Sequence, residues 1–382
     1  MNVPPIRRIN PRKREVKAVT RICIFCEKWE SGGIEAFLTN VISHMDLTGL
    51  EIDIVCARLG QSVFTATLKE LGVGFYQLSG KLRTPENGKR FAQLLRKRQY
   101  DVVHLNIFQG LALYYGRLAQ KYGVPVRIAH CHGAGLRNSP GVALKLKLHE
   151  LGKRLWSGCA TARLACSRQA AEFLFPKEMS YEWIPNGIDA ARFRFQAEGR
   201  GAVRRELVIG EDTLLLGTVG RLSAEKNQGF LLKVLREVKA KTPNAVLLLV
   251  GGGQMEEELR QRAEETGVSD SVIFYGESPR IPELLWAMDV FLFPSTTEGL
   301  GIAAVEAQAA GLPVVCSEHI PGEALVTENV TRLSLSAGAG AWAEAALKAK
   351  APLDRTAAAK EVSAAGYDVE AVAERIREVW ME

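Results

Sequence analysis

Residues 289–315 read DVFLFPSTTEGLGIAAVEAQAAGLPVV. The run Val290–Phe293 is short, apolar, and rich in β-branched and aromatic residues, as a buried strand requires. Pro294 and Ser295 end it, and Gly299 and Gly301 give a loose entry to the next segment. IAAVEAQAA then predicts a helix of small residues, open to close backbone approach. Gly311 stands where a helix-ending glycine belongs, with Pro313 two residues on, before the next strand, LPVVCS. Strand, loop, helix and strand make a βαβ unit, and βαβ units build parallel sheets.

The same alternation runs outward through the chain. Upstream, RICIFC (21–26), EIDIVCA (51–57), GFYQL (74–78), DVVHLN (101–106), VPVRIAHC (124–131), ARLAC (162–166) and YEWI (181–184) predict strands, with amphipathic segments between them. PNGIDAARFRFQAEGRGAVRREL (185–207) is polar and rich in Gly and Arg, and reads as a linker. A second series then carries LLLGTVG, NAVLLLVG, SVIFYG, DVFLFPS and LPVVCS as strands. The Ala-rich stretch 337–365 reads as surface helix. The expectation is an α/β fold of two doubly wound, Rossmann-like parallel-sheet domains, 1–188 and 189–366. Their ligand belongs in the cleft at the carboxyl ends of the strands.

Bulk properties narrow the partners. The 382 residues suffice for two cores, and no apolar run reaches the length of a membrane span. The basic start, MNVPPIRRINPRKREVK, lacks the apolar stretch of a secretory signal. Seven irregularly spaced cysteines form no disulfide framework, so a cytoplasmic protein with reduced thiols is expected. Cys23 and Cys26 have redox or zinc spacing but lie in a predicted buried strand with no second pair. A net charge of +6 suits phosphorylated small molecules or an anionic membrane. No nucleic-acid-binding motif accompanies it, so nucleic acid is not an expected partner.

Three post-strand loops could handle phosphate. Gly32 and Gly33 let a backbone approach an oxyanion at a helix start, although such turns also arise for steric reasons alone. In VGRLSAEKN, Arg221 and Lys226 could converge on one diphosphate; as ordinary surface charges they would mean nothing. Glu298 and Glu306 are not spaced as a glycosidase acid and nucleophile, but they could accept hydrogen bonds from hydroxyls on either side of an anion. His130 and His132 end a strand that faces the cleft, where a packed polar role is the plainer alternative. No P-loop and no D-x-D motif occurs, so no bound metal and no cofactor is expected. VALKLKLHELGKRLW (142–156) carries the stripe Leu144, Leu148, Leu151, Leu155 beside four basic residues. An ordinary core-facing helix is the favoured reading, and contact with anionic lipid, assisted by the basic N-terminal tail, the alternative.

Taken together, GGIEAF, DVVHLN, RIAHCHG, IPNGID, VGRLSAEKN, FYGE and the 289–315 stretch occur in the order of a known family. The chain resembles the retaining group-1 (family four) glycosyltransferases of GT-B fold, in particular the bacterial exopolysaccharide and capsule branch. The resemblance implies a nucleotide-diphosphate sugar donor, UDP-linked in the first instance, and a glycan or lipid-linked acceptor. It implies Arg221 and Lys226 on the diphosphate, Glu298 on the sugar, Glu306 on the ribose and His132 beside the transferred group. Gly32 and Gly33 would meet the distal phosphate, and the amides of Gly299, Leu300 and Gly301 would lie near it. Ser278–Ile281, including Arg280 and Ile281, would follow the base, and Asn186 falls in the donor set. The last segment, from Tyr367, resembles a helix that crosses back to the first domain. Gly133 and Asn106 replace residues common in that branch. A same-fold sugar-nucleotide epimerase or hydrolase, or a non-catalytic sugar-nucleotide binder, are the alternatives. A cytoplasmic location is expected, with a peripheral place on the inner face of the membrane as the alternative that the basic helix 142–156 offers.

Overall fold

The computed structural model describes residues 19–82, 84–135, 141–349, 351 and 354–382. The basic N-terminal segment lies outside them. Seven strands form the first sheet: β1 (Thr20–Trp29), β2 (Leu50–Leu59), β3 (Gly74–Gln77), β4 (Val102–Ile107), β5 (Val126–Cys131), β6 (Ala162–Ala165) and β7 (Glu182–Trp183). Six form the second: β8 (Leu215–Val219), β9 (Val246–Val250), β10 (Val272–Gly276), β11 (Val290–Phe293), β12 (Val314–Ser317) and β13 (Val330–Leu333). The orders are β3-β2-β1-β4-β5-β6-β7 and β10-β9-β8-β11-β12-β13, so the second repeats the first without its last strand.

Parallel sheets bury both faces, and β1 shows why its sequence has no polar alternation. Cys23 and Phe25 pack into one core, while Ile22, Ile24 and Cys26 pack into the other. Cys23 and Cys26 therefore face opposite sides of the strand, which excludes the redox or zinc reading of their spacing. Burial pushes both thiols up.

The chain passes from the first sheet to the second beside its own return: Ile188 bridges Asp368, and Ile188 N–H donates to the Tyr367 carbonyl at 2.8 Å. The last helix, Val369–Met381, then lays Val372, Ala373, Ile376, Val379 and Trp380 on the core of the first sheet. Asp368 caps it, accepting from the amides of Glu370 and Ala371.

Three expectations are corrected. The predicted linker folds into helices Ala190–Phe193 and Ala197–Glu206. Arg200 and Arg204 anchor the second one on Asp289 and on carbonyls that end the helix Ile281–Ala287. The Ala-rich stretch is not all surface: Trp342 is fully buried, and Ala343, Ala346, Ala358 and Ala359 pack inward. The helix Val142–Trp156 turns its leucines outward. Leu144, Leu146, Leu148, Leu151 and Leu155 are 37–62% exposed, and only His149 and Gly152 are buried. A Cβ on Gly152 would stand 2.5 Å from the Gly110 backbone, so this helix is seated on bare backbone. His149 locks the seat by accepting from Gly110 N–H and donating to the Phe173 carbonyl, each at 2.9 Å.

Candidate active site

The order of each sheet reverses direction beside its first strand, and in such folds ligands bind at that crevice. Segments after β1, β5 and β7 in the first sheet, and after β8, β10 and β11 in the second, carry the predicted residues at these ends of the strands.

On the second sheet, the loop after β8 is fixed by its neighbour after β9. Leu222 N–H donates to Gly252 O at 2.9 Å, and a Cβ on Gly251 would stand 2.2 Å from Gly220 O. The VGGGQ glycines thus serve backbone packing under the cationic loop. Thr296 N–H donates to Glu225 O at 2.8 Å and Asn227 Nδ2 to Pro294 O at 3.3 Å, tying that loop to the one after β11.

These ties bring Lys226 and Glu298 together. Lys226 Nζ donates to Glu298 Oε1 at 2.6 Å and lies 4.8 Å from the centre of the Phe293 ring. Both side chains are largely buried, so the pair is screened by little water. Next to it, the amides of Gly299, Leu300 and Gly301 donate to no group among the described residues, just ahead of the helix Ile302–Ala309. Glu306 lies one turn into that helix, and its carboxylate has no hydrogen-bond partner among the described residues, while its carbonyl accepts from Ala310 N–H at 3.0 Å. Burial pushes its carboxyl up to about 7, against the pull of Arg192 and Lys226.

The second sheet touches the first here. Arg221 Nη2 donates to the Ser31 carbonyl at 3.3 Å, which places the exposed guanidinium beside Gly32 and Gly33 at the start of the helix Gly33–Ser43. Gly299 lies against the backbone of His132 and Gly133, where a Cβ would come within 2.0 Å of His132 O. Ser167 Oγ donates to Gly299 O at 2.5 Å while it accepts from Ala170 N–H as a helix cap. Glu35 fills the space that a Gly32 side chain would take, and burial raises its carboxyl.

Around His132 the polar groups are neutral. His132 Nε2 lies 2.9 Å from Asn106 Oδ1 and its Nδ1 lies 3.3 Å from Asn186 Oδ1. Burial lowers its pKa to about 4, so at neutral pH the ring carries one proton. It donates from one nitrogen and accepts at the other, which requires one of the two amides to present its NH₂.

Residues 200–367 match the family described as glycosyl transferases group 1, and residues 31–192 match glycosyltransferase family 4. EpsF of Bacillus subtilis (strain 168), provisionally named a glycosyltransferase, is 33% identical over 330 residues, 84% of this chain and 85% of that one. The chain belongs to the group 1 glycosyltransferases. A GDP-mannose-dependent phosphatidylinositol monomannoside mannosyltransferase of Corynebacterium glutamicum is 29% identical over 294 residues, 74% of this chain and 76% of that one. Anabaena HepE, solved in complex with UDP and glucose, superposes with a TM-score of 0.75 at 21% identity, covering 94% of this chain and 98% of that one. The two facing parallel-sheet domains are thus the GT-B fold.

In this glycosyltransferase one predicted residue is engaged in a surface ion pair. Arg280 is exposed and paired with Glu206 at 3.0 Å, although Ile281 begins a helix beside it. The sequence reading missed Ser167, Glu35 and the role of Asn106. Asn106 stands two residues after His104 in DVVHLN, on a strand end that faces the cleft, which is the signal that could have found it. Ser167 offers only a helix-cap signal, because its partner is 132 residues away.

Proposed function

We propose that this glycosyltransferase moves a hexosyl or N-acetylhexosaminyl group from a nucleotide-diphosphate sugar to a glycan or lipid-linked acceptor, with retention and without a metal. Its product belongs to exopolysaccharide, capsule or another cell-surface glycan. The observation that carries this is the Lys226–Glu298 contact at 2.6 Å beside three backbone amides with no partner among the described residues. A donor exchanges that contact for better ones: its diphosphate takes Lys226, Arg221 and the amides, and its sugar hydroxyls take Glu298. Gly32 and Gly33 approach the distal phosphate, Glu306 the ribose, and His132, held by Asn106 and Asn186, the transferred sugar.

As the bond between the anomeric carbon and the diphosphate oxygen breaks, negative charge grows where these cations and amides are already aimed. The acceptor oxygen bonds to the same face of that carbon and gives its proton to a departing phosphate oxygen. UDP is the favoured carrier because HepE, of the same fold, was solved with UDP and glucose; the mannosyltransferase relative makes GDP the competing choice. A thermal-shift panel of UDP- and GDP-sugars, followed by NMR of the product's anomeric configuration, tests the reading. No stabilisation by any of them, or an inverted product, would overturn it.

The outward leucines of helix Val142–Trp156 favour a peripheral membrane site for the lipid-linked acceptor. Lys145, Lys147 and Arg154 flank them, and no described helix is long and apolar enough to cross a membrane. This helix follows β5 and the His132 loop in sequence, on the acceptor half of the cleft. Each leucine buried in lipid is worth up to about 1.5–3 kcal/mol. Sedimentation should show binding to anionic vesicles, weaker binding to neutral ones, and loss of both in Leu144→Glu/Leu151→Glu; equal absence from both vesicle types would remove this site.

A further inference from the structure

Sugar transfer of this kind makes no use of two imidazoles buried behind the cleft. His104 stands on β4 and His130 on β5, both without solvent exposure. Trp380 Nε1, on the C-terminal helix, lies 3.1 Å from His104 Nδ1. An indole N–H only donates, so His104 Nδ1 accepts and the ring carries its own proton on Nε2. That nitrogen lies 3.3 Å from His130 Nδ1, with the ring planes 5° apart. It donates in turn, which leaves the His130 proton on Nε2. Among the described residues this last N–H has no partner in good hydrogen-bond geometry, and the Ile184 backbone is the group that pulls its pKa back up against burial. The His130 ring lies 4.1 Å from the His132 ring, and Phe37 packs on both, at 5.5 and 5.0 Å. Burial keeps His104 and His130 neutral, so this order of donors and acceptors holds at neutral pH.

We propose that Trp380, His104 and His130 are positioning residues for His132: the indole of the returning helix fixes the tautomers of two buried imidazoles, and the second of them holds the His132 ring at the cleft. Packing alone would be served as well by phenylalanine and leucine, without burying a row of polar nitrogens. The inference rests on the proposed function in placing His132 beside the transferred sugar, and it makes the docking of the C-terminal helix part of the catalytic geometry.

Trp380→Phe keeps a buried ring and removes only the donor that starts the order. In the full-length protein labelled with ¹⁵N-histidine, the wild type should show His104 and His130 as single Nε2–H tautomers. The variant should show both as mixtures and should move the His132 signals. Turnover should fall roughly 10-fold with the donor KM changed less than about twofold, the split expected when reacting groups are misplaced. Val379→Ala, on the same helix and in the same core, should lower the melting temperature and leave tautomers and turnover unchanged. Unchanged histidine signals in Trp380→Phe, or an equal loss of turnover in Val379→Ala, would overturn the proposal. If the wild type transfers sugar from no donor, the functional reading fails, while the nitrogen signals of the Trp380→Phe protein still decide this one.

Discussion

The two halves of the cleft are built on one plan and furnished with opposite chemistry. Each sheet places its first strand at the reversal of strand order, so β1 and β8 deliver their following loops to equivalent places. After β8 come Arg221 and Lys226, and after β11 come Glu298 and, one turn into its helix, Glu306. The first sheet answers with Gly32, Gly33, Asn106, Asn186 and a histidine that burial holds neutral. In the proposed reaction, charge is concentrated where a diphosphate would be held and released. Neutral polar groups stand where, in the same reaction, an uncharged sugar and an acceptor hydroxyl would be oriented without being ionised. Topology alone assigns neither role.

The largest expected effect tests the charged half. Lys226→Ala and Glu298→Ala should each lower turnover by ~10²-fold or more, as for other groups that act on charge developing in the transition state. The double variant should lose less than the sum of the two, because each single change also strands its partner in a largely buried place. Near-normal activity in both single variants would break the assignment of this half. A double variant that loses the full sum would show that the 2.6 Å contact carries no coupling.

The seam between the halves gives the next effect. Gly299→Ala would put a Cβ 2.0 Å from the His132 carbonyl, so the second sheet's loop must retreat from the first. Turnover should fall roughly 10-fold or more, since a shift near 1 Å at a reacting centre is enough for that. Gly33→Ala meets nothing within 4 Å. It should leave the fold and the seam intact and weaken only donor binding, read as KM. If the two substitutions behave alike, closure of this seam does not matter to the reaction.

The outline of both halves was legible because buried parallel strands read as short apolar runs, and VFLF, VVHLNI and VLLLV are such runs. β13, VTRL, escaped because it is a short edge strand whose Thr331 and Arg332 face solvent. The helices at 190–206 escaped because Arg200 and Arg204 fold against carbonyls more than 80 residues away. Leu144, Leu148, Leu151 and Leu155 repeat with helical period whichever way they face, so periodicity cannot separate a core stripe from an outward one. Gly152 pressed on Gly110 decides it, and that contact is tertiary. In the site, Lys226 and Glu298 were each legible as residue types in post-strand loops. Their contact was not, since it depends on the Thr296–Glu225 hydrogen bond between two loops.

Acid separates the halves. His104, His130 and His132 all have pKa values depressed by burial, with His104 near 3 and His132 near 4. An unfolded histidine binds its proton from about pH 6.5 downward. Below that value the unfolded chain takes up protons that the native one refuses, so stability falls as the pH drops toward about 4. The melting temperature should therefore decline from about pH 6.5 to 4. The decline should be shallower in His104→Gln, which retains an acceptor for Trp380 Nε1–H. A flat profile would contradict neutral buried histidines in the first half.

The smallest effect belongs to Glu306, whose shift runs the other way. Its carboxyl is raised from 4.5 to about 7 by burial, so the native chain holds a proton there that the unfolded chain releases from about pH 4.5 upward. Its contribution to stability is present below about pH 4.5 and lost as the pH rises through about 7. A ribose hydroxyl that donates to Glu306 favours the ionised form, so donor binding should lower this pKa. Titration calorimetry near about pH 6.5 in buffers of different ionisation enthalpy should then show release of a fraction of one proton per donor bound. Donor affinity should rise a few-fold from about pH 6 to 8. Glu306→Gln keeps an acceptor oxygen and should remove both the proton release and the pH slope while retaining binding. Proton release that survives in Glu306→Gln would move the titrating group elsewhere, and Glu35, the other buried carboxyl raised by burial beside the cleft, would be the next to change.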